Sequence, residues 1–592
     1  MQTFNAVLDA INTVLWHDAV LYTVLLVGLL FTLWSGFGQY RSLTHGVSVI
    51  RGKYDDKRDP GAINHFQALS TALSGTVGLG NIAGVSVAVA LGGPGAVFWM
   101  WVVGAVGMMI KTTEVTLAML YRNTDDPENP HGGSMWVAQK GFGKWGMKGV
   151  GVVVAWIFCI TLIISAVTGG NMFQVWNVAR ITSTYFPHVP GIVSGIIICA
   201  LVGMTVIGGI KRIGAVTGRL VPFMCAVYLL GAIYVLILKI DTIPAMFRLI
   251  FVSALPESLG GSAANPTGAF LGGTFGYAFL WGMKRALFSN EAGQGSSPIA
   301  HSAAKTDEPV REGVVAGLEP FIDTLVVCTL TALVVLSTGA WNREPAAAYE
   351  AVPEIVPMVD DNGAPIEDAW IPGVTSVPAK NAEAARTSSL WRENDGVFVI
   401  VKGELDSNTG RDLHQITGKL QSANGSLRVA WDRYDSPTKP LMADNGLYMN
   451  LTGAALTGHA FDRAQPGLGM WIVTIAAWLF AVSTIISWYY YGEQGMIFML
   501  GRRSVLPFKI VYCLLIVVAS LDFIRTDKEL DALTSLGTGV MLFANIPIML
   551  IFGSQAMAAY KNYGRRLKSG ELDQTAHAFP SVTDVVEGRD VK

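Results

Sequence analysis

The sequence predicts an all-α polytopic membrane protein of about eleven transmembrane helices, two of them broken, carrying a small extracytoplasmic domain with β content. Three observations predict it. The 592 residues are 51% hydrophobic and only 15% charged, with a mean hydropathy of +0.43, too apolar for a soluble chain of this size. Apolar stretches of about 20 residues, the length that crosses a hydrocarbon core of about 30 Å, recur along the chain. Glycine makes up 65 of 592 residues, above the usual share of roughly 7%, as close helix packing in lipid requires.

The predicted spans are 19–38, 66–91, 95–121, 149–168, 190–208, 219–239, 266–287, 312–340, 468–491, 506–524 and 535–559. Their orientation follows from Lys and Arg in the connections. The first basic residue is Arg41, which argues for an outer N-terminus and against a signal peptide. Arg41, Arg51, Lys53, Lys57 and Arg58 then mark 39–65 as cytoplasmic. Arg122, Lys140, Lys144 and Lys148 do so for 122–148, Lys211 and Arg212 for 209–218, and Lys561, Arg565, Arg566 and Lys568 for the tail. The expected arrangement is N-terminus out, C-terminus in, in the bacterial inner membrane.

One connection, roughly 343–465, is long, polar and by this orientation outside. Within it "GVFVIVKGEL" (396–405) and "SLRVAWDRY" (426–434) are rich in β-branched or aromatic residues and read as strands. Its start, "REPAAAYEAVPEIVPMVDDNGAP", reads as a linker. The expected organisation is a first part of the membrane core at 1–342 with a peripheral first span, an inserted domain at 343–448, the second part of the core at 449–560 and a cytoplasmic tail at 561–592. A tolerated loop insertion without activity of its own is the plain reading of the insert.

Within the second span, "SGTVGLGNIAG" (74–84) places Gly75, Gly78 and Gly80 in six positions. Glycines in a membrane helix serve close packing. They also permit unwinding, which hydrocarbon tolerates only where protein or a water-filled cavity takes up the freed backbone groups. Such a break exposes carbonyls to a cation and half-helix N-termini to an anion. A second string, "LGGTFGYAF" (271–279), repeats the local pattern, Gly75-Thr76-Val77-Gly78 against Gly273-Thr274-Phe275-Gly276. Interrupted segments at corresponding positions of two halves are the mark of inverted-repeat transporters. Spans 2–6 and 7–11 then form two five-helix repeats. In the ninth span Ser483, Thr484 and Ser487 share a face, and hydroxyl oxygens are suitable hard ligands for Na⁺; the same hydroxyls also bond back to their own helix.

The five cysteines, Cys159, Cys199, Cys225, Cys328 and Cys513, lie in apolar segments without metal-ligand spacing, so neither a disulfide nor a zinc site is expected. The net charge of −2 gives no reason to expect nucleic acid as a partner. No HExxH, GxSxG or Walker loop is present, which argues against a membrane enzyme and an ATP-driven pump.

The strings "ALSGTVGLGNIAGVSVAVALGGPGAVFWMW" (72–101), "GGIKRIGAV" (208–216), "KRALFSNEAGQGSSPIAHSAAKTDEPVREG" (284–313), "FIDTLVVCT" (321–329), "ALTGHAF" (455–461) and "FAVSTIISWYYYGEQ" (480–494) resemble the alanine or glycine:cation symporter family. The resemblance covers about 15–342 and 449–560. It implies a LeuT-like fold and uptake of alanine or glycine driven by Na⁺ or, in some members, H⁺. Two departures stand out: 343–448 is an addition where the family has a short loop, and the last span matches only at Asn545 and Pro547.

Residue by residue, the resemblance implies that Thr76, Gly78, Gly80 and Asn81 hold the substrate carboxylate and the adjoining ion. It gives the amine to Thr274, Phe275 and Gly276. "GGNMFQVWN" in the fourth span matches the family's GNMxQ pattern, so Asn171 and Gln174 are expected to line the pocket. Ser483 and Thr484, with the carbonyl of Phe480, would complete the Na⁺ site with Thr76 and Asn81. Bulky Phe275 and Trp488 would leave room for little more than a methyl side chain. Glu319 and Asp323, four apart in the eighth span, stand as a proton or ion site or as partners of Lys284, Arg285 or Lys111; Glu291 is placed in a cytoplasmic loop. The expected function is symport with Na⁺ as the co-transported ion and no cofactor, and the lipid bilayer as surroundings. Another small amino acid such as glutamine or D-alanine, H⁺ coupling, and a transporter-like sensor using the outer domain are the alternatives.

Overall fold

The computed structural model describes residues 2–574 apart from 57–58, 263, 361, 382–390, 424, 452 and 522–526. Among the described residues six helices are long and apolar enough to cross a membrane: Gly95–Leu120, Lys148–Tyr185, Gly209–Leu238, Pro309–Ser337, Gly469–Leu500 and Thr534–Ser569. Two bent pairs bring the number to eight, Asp18–Trp34 with Gln39–Ile50 at 73° and His65–Thr76 with Gly80–Gly92 at 48°. The chain is therefore an all-α multi-pass membrane protein with an inserted β region. Gly191–Val206 is a shorter apolar helix where a span was also expected, and Phe275–Asn290 and Val505–Ala519 are helices of 16 and 15 residues within two further expected spans.

The bend in the second expected span falls where the glycines predicted it. The bend after Trp34 was not anticipated: Gly36, Phe37 and Gly38 turn the chain, Gly36 at φ +65° and Phe37 at φ +58°, and the basic stretch that follows is helical too. A third departure matters more. The seventh span was expected from 266, but its helix starts only at Phe275. Before it Gly268 and Gly272 take positive φ, and a Cβ at Gly268 would stand 2.3 Å from the Asn342 carbonyl oxygen. Thr274 is the helix cap, its hydroxyl accepting from the Tyr277 N–H at 3.2 Å. The repeated Gly-Thr-x-Gly string thus begins a helix instead of interrupting one.

The insert folds around its own core of Val397, Val399, Val401, Ile416, Leu420, Val429 and Leu447. Gly396–Asp406 and Arg411–Ala423 form an antiparallel hairpin, extended on one side by Ser426–Trp431 and on the other by Gly446–Met449 and then Ala347–Ala348. A three-stranded sheet joins Ile355–Val359, Pro365–Pro372 and Tyr434–Asp435. Both expected strands are present. The expected linker at 343–365 is not one: Ala347 pairs with Leu447, Tyr349 is buried in the insert's core, and Ile355–Val359 is a strand. The insert rests on the membrane part through Thr274 Oγ1 donating to the Asn408 carbonyl at 2.9 Å, Arg411 to Asn265 Oδ1 at 2.8 Å and Arg392 to the Thr184 carbonyl at 2.9 Å.

Candidate functional site

The helix His65–Thr76 is started by a capping box, Asn64 Oδ1 accepting from Gln67 N–H at 2.8 Å and Gln67 Oε1 from Asn64 N–H at 3.2 Å. It stops at Val77. In a water-poor interior the freed N–H groups need partners, and side chains supply them. The Gly78 N–H donates to Asn81 Oδ1 at 2.9 Å, and the Leu79 N–H to Gln174 Oε1 at 3.2 Å. Gln174 is fixed in turn by its amide donating to the Gly169 carbonyl at 3.0 Å. The Asn81 amide donates to Asp323 Oδ1 at 2.6 Å, and Asp323 Oδ2 accepts from Ser289 at 2.7 Å and Thr324 at 2.8 Å. Three helices widen by a residue per turn here, at Gly80–Gly84, Thr168–Met172 and Phe321–Cys328, a distortion that accumulates at functional sites. It turns Asn81, Gly169 and Asp323 into one layer.

The helix Thr474–Leu500 closes the other side. Ser74 Oγ donates to the Ser483 carbonyl at 2.6 Å, Ser487 Oγ to the Thr71 carbonyl at 2.8 Å, and Ser483 Oγ to the Phe480 carbonyl at 3.0 Å. Thr484 differs from both serines. Its hydroxyl is buried with no hydrogen-bond partner among the described residues, and it points at the break: a Cβ on Gly78 would stand 2.5 Å from Thr484 Oγ1. A buried hydroxyl left unpaired costs about 1–3 kcal/mol. The oxygen is therefore available to a ligand, and hydroxyl and carbonyl oxygens are the donor set for a hard cation. Among the described residues no group of three or more His, Cys, Asp or Glu is arranged to hold a metal.

Between these walls lies a cavity of about 20 Å³ lined by Thr76, Gly78, Gly80, Gln174, Phe288, Glu291, Gln294 and Trp488, with Gly75, Ser165, Gly169 and Thr538, a volume that holds about one water. Glycines set its walls. Cβ atoms at Gly80 and Gly169 would approach Phe288 at 3.2 and 3.3 Å, and one at Gly170 would meet Trp488 at 2.3 Å.

The structure brings together Thr76, Gly78, Gly80, Gln174 and Trp488 as lining, with Asn81 bracing the break and Ser483 and Thr484 facing it. Asn171 is turned away, its amide donating to the Tyr512 carbonyl at 3.0 Å. Thr274, Phe275 and Gly276 are not part of this cavity: Thr274 bonds the insert, Phe275 packs its ring on Trp99 at 5.8 Å, and Gly276 is exposed. Phe288 takes the place expected of Phe275.

The second break lies where the same helix ends, after Asn290. Glu291 adopts φ +55°, Gly293 φ +86° and Gly295 φ +77°, and helix resumes at Ser297–His301. Glu291, expected in a cytoplasmic loop, is instead buried in the core at the cavity, its carboxylate accepting from Ser296 Oγ. Glu319 pairs with Lys111 at 3.4 Å, one of the expected partners. The signal for this break was the string "NEAGQGS", with two glycines two apart, the same cue that located the first.

The model of the sodium:alanine symporter family matches residues 1–356 and 440–577. The chain is 32% identical over 511 residues to "Sodium/alanine symporter AgcS" of Methanococcus maripaludis, covering 86% of this chain and 87% of that one. It is 29% identical over 565 residues to "Putative sodium/proton-dependent alanine carrier protein YrbD" of Bacillus subtilis, covering 95% and 93%. A crystal structure of MhsT in complex with L-phenylalanine aligns at a TM-score of 0.42 and 14% identity, covering 89% of this chain and 96% of that one. With matches on both sides of the insert, and both glycine breaks inside them, this chain belongs to the sodium:alanine symporter family.

Proposed function

We propose that the chain is a secondary active symporter that takes up alanine or glycine with Na⁺ by alternating access, and that the orphaned Thr484 hydroxyl facing the break at Gly78 marks the ion site. In this reading Na⁺ takes oxygens from Thr484, Ser483, Thr76 and backbone carbonyls of the break, with Phe480 and Asn81 beside them. The amino acid lies against Gly78, Gly80 and Gln174 once the walls of the adjoining cavity part, the closed volume being that of about one water. Phe288 and Trp488 limit its side chain to about a methyl group, and Glu291 and Gln294 from the second break receive its amine. The two breaks, near 77–79 and 291–296, sit in matching positions of two five-helix inverted repeats with the N-terminus outside and the C-terminus inside.

The energetics suffice with one ion. A charge crossing about 100 mV releases about 2.3 kcal/mol, and a tenfold Na⁺ gradient adds about 1.4 kcal/mol. Together they sustain a substrate gradient of roughly 500-fold.

The test is uptake of labelled L-alanine and glycine into proteoliposomes under an inward Na⁺ gradient or choline, for wild type and Thr484→Ala. We expect Na⁺-dependent uptake in wild type, and at least about a tenfold higher Na⁺ requirement in the variant, the equivalent of one lost ligand worth about 1.4 kcal/mol. Equal uptake in Na⁺ and choline would remove the symport reading, while an unchanged Na⁺ requirement in Thr484→Ala would move the ion elsewhere.

The insert has its own core, and Tyr349 N–H already donates to the Asn445 carbonyl at 2.9 Å. Joining 349 to 445 through a short Gly/Ser turn is therefore expected to leave Na⁺-driven uptake in place. Loss of uptake with the shortened chain still folded would assign the insert a part in the pathway.

A further inference from the structure

A second constellation lies beside the cavity. The helix Gly95–Leu120 carries Lys111 and Glu114 one turn apart. Glu312 and Glu319, seven residues apart, present to one face. His301 ends the short helix after the second break, and His65 opens the first broken helix. Lys111, His301, Glu312 and Glu319 are fully buried, and His65 and Glu114 are nearly so.

They form a connected row. Asp55, 46% exposed, lies 3.8 Å from His65 Nε2. His65 Nδ1 meets Glu312 Oε2. Glu312 Oε1 is 2.5 Å from His301 Nδ1, and His301 Nε2 is 2.7 Å from Glu319 Oε1. Glu319 Oε2 is 3.4 Å from Lys111 Nζ, which is 3.6 Å from Glu114 Oε1 and donates to Ser297 Oγ at 2.6 Å. Glu114 Oε2 accepts from the Gly295 N–H at 3.2 Å and from Asn545 Nδ2 at 3.1 Å. The row therefore starts at a surface carboxylate and ends on the second break, whose Glu291 and Gln294 line the cavity.

Proton counting shows what such a row can do. A carboxylate only accepts, and a neutral imidazole has one donor and one acceptor nitrogen. Both contacts of His301 are hydrogen bonds only if two protons lie between the three groups. Either His301 is an imidazolium, or it is neutral and one glutamate is protonated. These arrangements differ by the position of one proton along bonds of 2.5 and 2.7 Å, and imidazole is the side chain that exchanges such a proton near neutral pH. Other charges face the row: Arg122 toward Glu312, Glu291 and Asp323 toward Lys111, and Tyr491 toward Glu291 and Glu319.

We propose that Asp55, His65, Glu312, His301, Glu319, Lys111 and Glu114 form a proton pathway from the face that the basic loops assign to the cytoplasm to the second break, and that protons arriving there promote substrate release on that side. The inference rests on the symport reading of the cavity. The proton does not replace Na⁺ in this scheme. It enters at His65 and crosses Glu312 and His301, arriving on one ring nitrogen and leaving from the other to Glu319; Lys111 then gives one ammonium proton to Glu114 and takes the one on Glu319 in its place. A neutral Glu114 loses the charge-assisted bond to Gly295, which frees the break that walls the cavity. The proton leaves by the same route when the cavity closes, so no net proton crosses.

The test uses right-side-out membrane vesicles, a fixed inward Na⁺ gradient and a fixed external pH, with the internal pH set to about 6 or about 8, either side of the ordinary imidazole pKa of about 6.5. Wild type is expected to take up alanine several-fold faster at the acidic internal pH. His301→Gln, which bonds both glutamates but cannot pass a proton, is expected to flatten that dependence while Na⁺ binding in detergent stays at the wild-type level. Asp55→Asn, on the surface and harmless to folding, is expected to weaken the dependence in the same direction. A wild type indifferent to internal pH, or a His301→Gln and Asp55→Asn pair with the wild-type profile, would overturn the pathway and leave symport standing. A wild type without Na⁺-dependent uptake at either internal pH would overturn the symport reading and the pathway together.

Discussion

Lys111→Met is expected to destabilise the protein by about 3–5 kcal/mol, the cost of breaking a buried ion pair from one side. Among the described residues Lys111 is the cation paired with Glu114, its Nζ lying 3.6 Å from Glu114 and 3.4 Å from Glu319. Methionine has a similar reach and no charge, so packing is largely kept and the effect is electrostatic. With the ammonium gone, Glu114 and Glu319 face each other and Glu291 in the interior with less to neutralise them. One of them must take a proton or the helices must part. The measurement is thermal unfolding of the detergent-solubilised protein, comparing Lys111→Met with Lys111→Met/Glu319→Gln. The double variant removes one charge from each side and is expected to recover at least about half of the loss, as coupled neighbours do. A single variant within about 1 kcal/mol of wild type, the value of a surface pair, would contradict the role given to Lys111.

Much of this cluster escaped the sequence, and the reason is physical. Hydropathy assigns a charged residue to the nearest aqueous loop, because an isolated charge in hydrocarbon is costly. His301 and Glu312 are each paired inside the protein, Glu312 with His65 as well, so that cost is offset by partners that lie elsewhere in the chain. Partners distant in sequence leave no local pattern. Glu319 was legible as an intramembrane charge with Lys111 as a possible partner, since both fell inside apolar runs.

The first break was legible for a different reason. Gly75, Gly78 and Gly80 sit in an otherwise continuous apolar stretch, where they read either as close packing or as unwinding. The second break was sought in a string identical to part of the first, Gly273-Thr274-Phe275-Gly276. Similar letters there served a helix start, where a threonine cap is as useful as it is before a break. The break that the structure does show, from Glu291 to Ser296, carries a glutamate and a glutamine, and polar letters disguised it as a loop. In the insert, Gly396–Asp406 announced itself by consecutive Val, Phe and Ile. Its partner Arg411–Ala423 did not, because only Ile416, Gly418 and Leu420 are buried and the outward positions are polar.

Gly78→Ala is expected to abolish Na⁺-driven uptake. The added Cβ would stand 2.5 Å from Thr484 Oγ1, far inside contact distance, and 3.4 Å from Gln174 Oε1, an ordinary contact. Thr484 is β-branched with two χ1 rotamers open to it in a helix, so relieving the clash turns its hydroxyl away from the break, and overpacking of this kind costs about 1–3 kcal/mol. The same methyl makes only ordinary contact with the Gln174 oxygen that accepts from the Leu79 N–H, so that brace is kept and the break suffers the clash and the displaced Thr484 ligand. Gly78→Ala/Thr484→Ala separates these effects. Removing the hydroxyl removes the clash, so the double variant is expected to regain the melting temperature of Thr484→Ala while still failing to concentrate alanine. Na⁺-driven uptake by Gly78→Ala at the wild-type rate would mean that the break opens away from Thr484 during transport and that the ion is held elsewhere. Recovery of uptake in the double variant would show that the methyl acts by steric pressure alone and that the Thr484 oxygen is dispensable.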